Sequence, residues 1–267
     1  MPQLTPLSQN RLKYLKKLQK GKYRRQYGMY ICEGWRLFEA AIHRHAGKIS
    51  EVILSDSFLD TNLRDRFFQY VKASGTPVFQ TSVKEMKILS SEIAPQGILF
   101  TMPLPAGSNP PDSRITDPLV LYLEEISDPG NLGTIIRTAV WFGIKTIFLS
   151  HGAVDPYNPK VVRSSAGAIF DAEIYEDVSF SHLRKSLGTA GYKFIATTPR
   201  NGAELTSWKP ITRSVIMFGR EAEGLSGSLQ SGADVRITIP QSGPAESLNL
   251  GVSAGIILFH ATQALKQ

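Results

Sequence analysis

Cysteine is almost absent from this chain: Cys32 stands alone, which excludes an intramolecular disulfide and any zinc site built on a cysteine cluster. It reads as a small core residue. Long apolar runs are absent as well. The longest, residues 256 to 261, is interrupted by His260 and is far too short to cross a bilayer, and the basic N-terminus carries no apolar stretch that could serve as a signal peptide. A cytoplasmic location without a membrane partner is expected. No G-x-G-x-x-G follows a strand and no G-x-x-x-x-G-K-[ST] occurs, so neither a dinucleotide fingerprint nor a P-loop is available. Among the five histidines, His43 and His45 lie two apart on a predicted helix and share no face, while His151, His182 and His260 are scattered; no metal site is expected.

Acidic residues are missing from the N-terminus until Glu33. Between Arg11 and Arg25 lie eight cations, Arg11, Lys13, Lys16, Lys17, Lys20, Lys22, Arg24 and Arg25, which exceed the net charge of +7 and leave the rest of the chain at −1. Such a run is often only a solvated helix face. The lack of acids, with Tyr14, Tyr23 and Tyr27 interleaved, points instead to phosphate contact and base stacking, hence to RNA.

What the chain does have, in 267 residues of which 42% are hydrophobic, is material for one large domain or two ordinary ones. Residues 28 to 101 alternate short apolar runs with amphipathic stretches such as Trp35 to His43 and Phe58 to Val71, the pattern of a small α/β domain. Residues 103 to 117 hold Pro103, Pro105, Gly107, Pro110 and Pro111 and read as a linker. Beyond it, runs at Leu119 to Leu123, Thr146 to Leu149, Ala172 to Tyr175, Lys193 to Ala196, Val215 to Phe218 and Val235 to Ile239 alternate with helical patterns. The expected fold is α/β: a small domain with its basic segment and linker over residues 1 to 110, then a largely parallel sheet with helices on both faces over residues 111 to 267. Ligands of such sheets sit at the carboxyl ends of the strands.

Three glycine-containing turns begin at those ends. They are Asp128-Pro129-Gly130-Asn131-Leu132-Gly133-Thr134-Ile135-Ile136-Arg137-Thr138-Ala139, then Phe218-Gly219-Arg220-Glu221-Ala222-Glu223-Gly224-Leu225-Ser226, then the stretch from Ile239 to Gly251. In the third, Pro240 and Pro244 bar a continuing strand, and Ser247 is placed to cap a helix from Leu248 onward, with amides free for an electron-rich ligand. Singly, each is ordinary turn chemistry; three in order, with polar cores, are binding loops.

In order and spacing these loops resemble the three signature motifs of the SpoU/TrmH family, the knotted SPOUT-class RNA 2′-O-ribose methyltransferases, over roughly residues 118 to 265. Cys32-Glu33-Gly34, with Arg36 and Glu39-Ala40, resembles the opening of the ribosomal-protein-like substrate domain that many members carry. The resemblance implies a deep trefoil knot, S-adenosyl-L-methionine as methyl donor, ribosomal or transfer RNA as substrate, and a homodimer that completes the site. For that dimer, Gly251, Ser253, Ala254 and Gly255, placed before Ile256 to Phe259 on the last helix, offer a surface suited to close apolar packing. It also implies that the stretch from Asp155 to Lys160, with Arg163 and residues 165 to 168, borders the RNA site. Two alternatives stay open: a non-catalytic RNA- or ribosome-binding protein of the same fold, and a knotted enzyme acting on a base nitrogen.

The resemblance assigns the site residues. Arg137 takes a catalytic role, and a guanidinium pKa above about 12 favours positioning and charge stabilisation over general base work. Asn131 orients ribose or backbone oxygens, or merely forms an Asx turn. Glu221 pairs with Arg137, the preferred reading, or acts as a helix N-terminal acid. Ser247 and Asn249 form the active-site pair, with capping the alternative for Ser247 and no evident packing purpose for Asn249. Gly219, Ile239 and Leu248, and more loosely Thr197, are the donor contacts, Gly219 by permitting close backbone approach. The chain departs from many relatives at Arg220, Ala222 and Glu223, where asparagine, glycine and a basic residue are common, which bears on substrate choice.

Overall fold

The computed structural model describes residues 4–59, 62–105 and 115–264. Within the predicted linker, residues 106–114 lie outside that range. The chain divides into two units, one made of Met1–Ala106 with Tyr157–Phe170, the other of Gly107–Pro156 with Asp171–Gln267.

The first unit opens with β1 (Thr5–Pro6), α1 (Gln9–Lys17) and α2 (Gly21–Tyr27), and continues through β2 (Met29–Glu33), α3 (Trp35–His45), β3 (Glu51–Ser55), α4 (Asp56–Leu59), α5 (Arg64–Ser74), β4 (Val78–Thr81), α6 (Val83–Leu89) and β5 (Ile98–Pro103). The amphipathic stretch from Phe58 to Val71 falls in α4 and α5. Strand order is β1-β4-β3-β5-β2, with β5 antiparallel to both neighbours. Ser8 caps α1 by accepting from the Arg11 amide, and α6 starts in a capping box between Ser82 and Glu85. Helix α1 is held by its apolar stripe: Leu12, Leu15 and Leu18 join Leu7, Ile31, Ile53, Met86, Leu89 and Leu99 in one core. Full burial of each such leucine contributes about 1.5–3 kcal/mol. Helix α8 (Pro159–Ser164) belongs here too, with Tyr157 against the Tyr30 ring and Arg163 bonded to Ser91 and Glu92.

The basic segment is therefore partly structural. Arg24 is buried, and its guanidinium donates to the carbonyls of Leu18 and Gln19 at 2.9 Å each, closing the end of α1. Arg11 is paired with buried Glu51 at 2.5 Å and lies over the Phe79 ring. Of the eight cations expected to meet RNA, these two are committed to the fold, and Lys13, Lys16, Lys17, Lys20, Lys22 and Arg25 remain exposed.

The second unit contains β6 (Leu119–Leu123), α7 (Pro129–Trp141), β7 (Thr146–Leu149), β8 (Glu173–Tyr175), α9 (Phe180–Thr189), β9 (Lys193–Thr197), β10 (Ala203–Glu204), β11 (Ser214–Phe218), α10 (Gly227–Ser231), β12 (Val235–Thr238) and α11 (Leu250–Ala264). Its sheet, in the order β10-β12-β9-β11-β6-β7-β8, is parallel throughout. The central strands β6, β7 and β11 are buried at every position, as expected of strands covered on both faces. No helix among the described residues is long and apolar enough to cross a membrane.

Candidate active site

The three motif loops leave the carboxyl ends of β6, β11 and β12. Helix α7 begins where Pro129 takes the first helical position and Asp128 accepts from the Asn131 amide at 2.8 Å, a cap and proline pair visible in the sequence. That start places the Asn131 side chain in the first turn, facing the other two loops.

A directional hydrogen-bond chain joins all three. The Gly251 and Val252 amides donate to Asn249 Oδ1 at 2.9 and 3.3 Å, Asn249 Nδ2 donates to Asn131 Oδ1 at 3.0 Å, and Asn131 Nδ2 donates to Glu221 Oε1 at 3.3 Å. The amide orientations are fixed by chemistry, because a carboxylate only accepts and a backbone N–H only donates. Glu221 also accepts from the Asp128 amide and the Ser127 hydroxyl, each at 3.2 Å. Partial burial pushes its carboxyl up, but bonds from its own amide, Asn131, Asp128 and Ser127 outweigh that and hold it below the usual carboxylate range.

Several expectations are corrected by this geometry. Glu221 does not pair with Arg137: its oxygens are taken up at the start of α7, where an ionised acid also meets the positive helix end. Arg137 is exposed and, among the described residues, makes no ion pair. Ser247 does not cap α11, which starts at Leu250; Asn249 is the cap, so the asparagine read as lacking a packing purpose has one. Ser247 is exposed, with no hydrogen bond among the described residues.

Gly219 is required by its own loop. A Cβ there would lie 2.1 Å from both Gly224 C and Leu225 N, backbone atoms that cannot move aside. The loop between is closed by reciprocal bonds of Arg220 and Gly224, 3.1 and 3.0 Å, and Gly224 takes φ +71°. Arg220 and Glu223, both departures from the family pattern, pair at 3.2 Å, and Arg220 also reaches Glu125 at 2.7 Å, so the altered charges compensate one another. Glu124, Glu125 and Ser127 were not singled out from sequence. Buried Glu124 accepts from the Ser226 amide at 2.7 Å, and Glu125 adopts φ +48°, contacts that depend on strand neighbours remote in sequence.

Thr197 ends β9, with its hydroxyl on the Met217 carbonyl at 2.8 Å; Ile239 is half-buried beyond β12; Leu248 is 49% exposed. The amides from Gln241 to Leu248 have no protein acceptor among the described residues. Unpaired amides beside an exposed leucine suit an adenosine-bearing donor, whose edge needs hydrogen bonds and whose ring needs an apolar wall. A separate groove of about 320 Å³, lined by Arg184, Lys185, Tyr192, Lys193 and Asp234, lies at the amino end of β9, the opposite end of the sheet, and holds none of these residues. Among the described residues no three His, Cys, Asp or Glu side chains converge as a metal site would require.

Residues 118–259 match the SpoU rRNA Methylase family, and residues 9–99 match the MRM3-like substrate binding domain. An uncharacterized tRNA/rRNA methyltransferase of Synechocystis is 33% identical over 256 residues, 94% of this chain and 89% of that one. The 23S rRNA (guanosine(2553)-2'-O)-methyltransferase RlmP of Bacillus subtilis is 27% identical over 260 residues, 97% of this chain and 99% of that one. The crystal structure of an AdoMet-bound rRNA methyltransferase from Sinorhizobium meliloti matches with a TM-score of 0.81 at 26% identity, covering 98% of this chain and 97% of that one. With its three motif loops gathered at one end of a parallel sheet, this chain belongs to the SpoU rRNA methylase family of RNA methyltransferases, enzymes that use S-adenosylmethionine.

Proposed function

We propose that this methyltransferase modifies a ribose 2′-hydroxyl of ribosomal RNA. The observation that carries the reading is the Asn249–Asn131–Glu221 chain, which fixes the three motif loops to one another while leaving Arg137 and Ser247 uncommitted. Relatives named for rRNA methylation, one of them at a ribose 2′-oxygen, support it.

S-adenosylmethionine, when bound, supplies an electrophilic methyl group; the backbone of Gly219, Ile239, Leu248 and Thr197 would hold it. The chain's own work is to aim an alcohol oxygen and to stabilise the charge that develops as its proton leaves. Arg137, one turn beyond Thr134 on the exposed side of α7, offers a permanent charge and a planar fork for a phosphate or that oxyanion. Ser247 offers a free hydroxyl, and Asn249 acts through the order it imposes on its loop.

The same reading gives RNA recruitment to residues 1 to about 110, supported by the substrate-domain match, and places the enzyme in the cytoplasm. It includes the trefoil knot that the family resemblance implies. It also includes a homodimer, through only part of the surface expected. Gly251 and Gly255 face Thr134 and Thr138 of α7 in the same chain and Ala254 is buried, so the small residues serve the α7–α11 crossing. Val252, Ile256 and Phe259 on α11 and Trp141 on α7 are left exposed, Trp141 by 82%, an apolar stripe suited to a second copy.

Incubation with labelled S-adenosylmethionine and rRNA from cells lacking the gene, followed by nucleoside mass analysis, should yield a 2′-O-methylated nucleoside. A base-methylated product would overturn the ribose assignment, transfer RNA as the sole acceptor would overturn the substrate, and donor binding without incorporation on any RNA would leave only an RNA-binding role.

A further inference from the structure

The end of α1 and all of α2 carry an arrangement that phosphate contact alone does not account for. Three tyrosines from the two helices converge: Tyr14 meets Tyr27 edge to face at 5.0 Å between ring centroids, and Tyr23, one turn before Tyr27 on α2, stacks on it at 6.2 Å with 16° between planes. Their surroundings are cationic. Lys17 Nζ lies 5.5 Å and Lys22 Nζ 6.0 Å from the Tyr23 ring centre. Tyr27 is the last residue of α2, where Gly28 turns the chain at φ +63°, and the residue remains 37% exposed.

A structural explanation covers only part of this cluster. Leu12, Leu15 and Leu18 hold α1 to the sheet, and buried Arg24 closes the turn between the helices. Tyr27 is absent from that core and stays 37% exposed beside Tyr23, whose ring has two ammonium groups within 6.0 Å, an arrangement suited to a flat base with its flanking phosphates.

We propose that Tyr27, backed by Tyr23 and Tyr14, is a stacking platform for an unpaired RNA base, with Lys17 and Lys22 meeting the flanking phosphates. A base in a duplex has both faces occupied, so the platform selects single-stranded or looped RNA, whereas the lysines by themselves would accept either. This rests on the RNA-methyltransferase reading and adds to it which RNA conformation the first unit takes and by which ring.

The full-length protein is titrated against a labelled ten-nucleotide single-stranded RNA and against a blunt RNA duplex, for the unaltered chain, Tyr27→Ala and Tyr27→Phe. The expected result is a loss of about tenfold in single-strand affinity for Tyr27→Ala, retention in Tyr27→Phe, and duplex affinity unchanged in both. Equal losses on the two RNAs, or no loss in Tyr27→Ala, would overturn the platform. Far-ultraviolet circular dichroism and melting, followed in parallel, should be unaltered and report that the variants are folded. Binding of neither RNA by the unaltered chain, with donor binding intact, would be the failure of RNA recruitment by the first unit and would overturn the platform with it.

Discussion

At the scale of single residues, the site depends on a few side chains whose partners are distant in sequence. Because Arg137 is exposed and outside the Asn249–Asn131–Glu221 chain, Arg137→Ala should lower single-turnover methylation by 10²-fold or so while S-adenosylmethionine affinity stays within about tenfold, read by rapid quench and by titration. Glu221 makes a pH prediction. Its folded carboxyl titrates below the unfolded value, so the stability it contributes is complete above the ordinary carboxylate range and is lost as pH falls through the folded pKa. Melting curves should show Glu221→Gln less stable than the unaltered chain at neutral pH, with the gap closing below about pH 4. Gly219→Ala, with its Cβ forced onto the Gly224–Leu225 backbone, should cost about 3 kcal/mol by denaturant melts and weaken donor binding with it, while Gly227→Ala, whose Cβ meets nothing within 4 Å, should not. The motif residues were legible in the sequence because turn-forming glycines and prolines punctuate it. Their roles were not: Asn131 and Asn249 are 118 positions apart, and one sequence does not say which of Ser247 and Asn249 meets the helix start.

At the scale of elements, apolar runs mark the central strands β6, β7 and β11 well, because a parallel strand buried on both faces has few polar positions, whereas exposed β10 has no such run and is not predicted. Helix faces were less legible. Periodicity shows that Gly251, Ala254 and Gly255 are small, but not that α7, rather than a second chain, presents Thr134 and Thr138 to them. The basic segment divides similarly: its leucines are as regular as its lysines, and only the packed helices show that Arg24 is buried and that Arg11, though exposed, is paired with Glu51. Removing residues 1 to 25 would strip core leucines, so the cations are tested in place. Replacing Lys13, Lys16, Lys17, Lys20, Lys22 and Arg25 by glutamine should leave the melting temperature nearly unchanged and reduce the slope of log affinity against log salt for single-stranded RNA by up to about 4. An unaltered slope would make these helices a solvated surface.

At the scale of the whole molecule, Trp141, Val252, Ile256 and Phe259 are exposed apolar residues, and the proposed dimer would cover them. Light scattering at micromolar concentration should give a dimer, and Ile256→Glu with Phe259→Asp should give a folded monomer; a monomeric unaltered protein with full activity would remove the interface. The return of Tyr157–Phe170 to the first unit has a different sort of consequence. The polypeptide changes unit three times, so neither half is a contiguous gene segment. A fragment beginning after the proline-rich stretch would carry α8 without β2, leaving Val161 and Val162, buried in the intact chain, without their cover. Recombination that exchanged the N-terminal portion for another RNA-binding module would therefore have to bring a strand able to receive that helix, or replace the helix as well. The two units are consequently interleaved along the gene by a stretch of fourteen residues, Tyr157–Phe170.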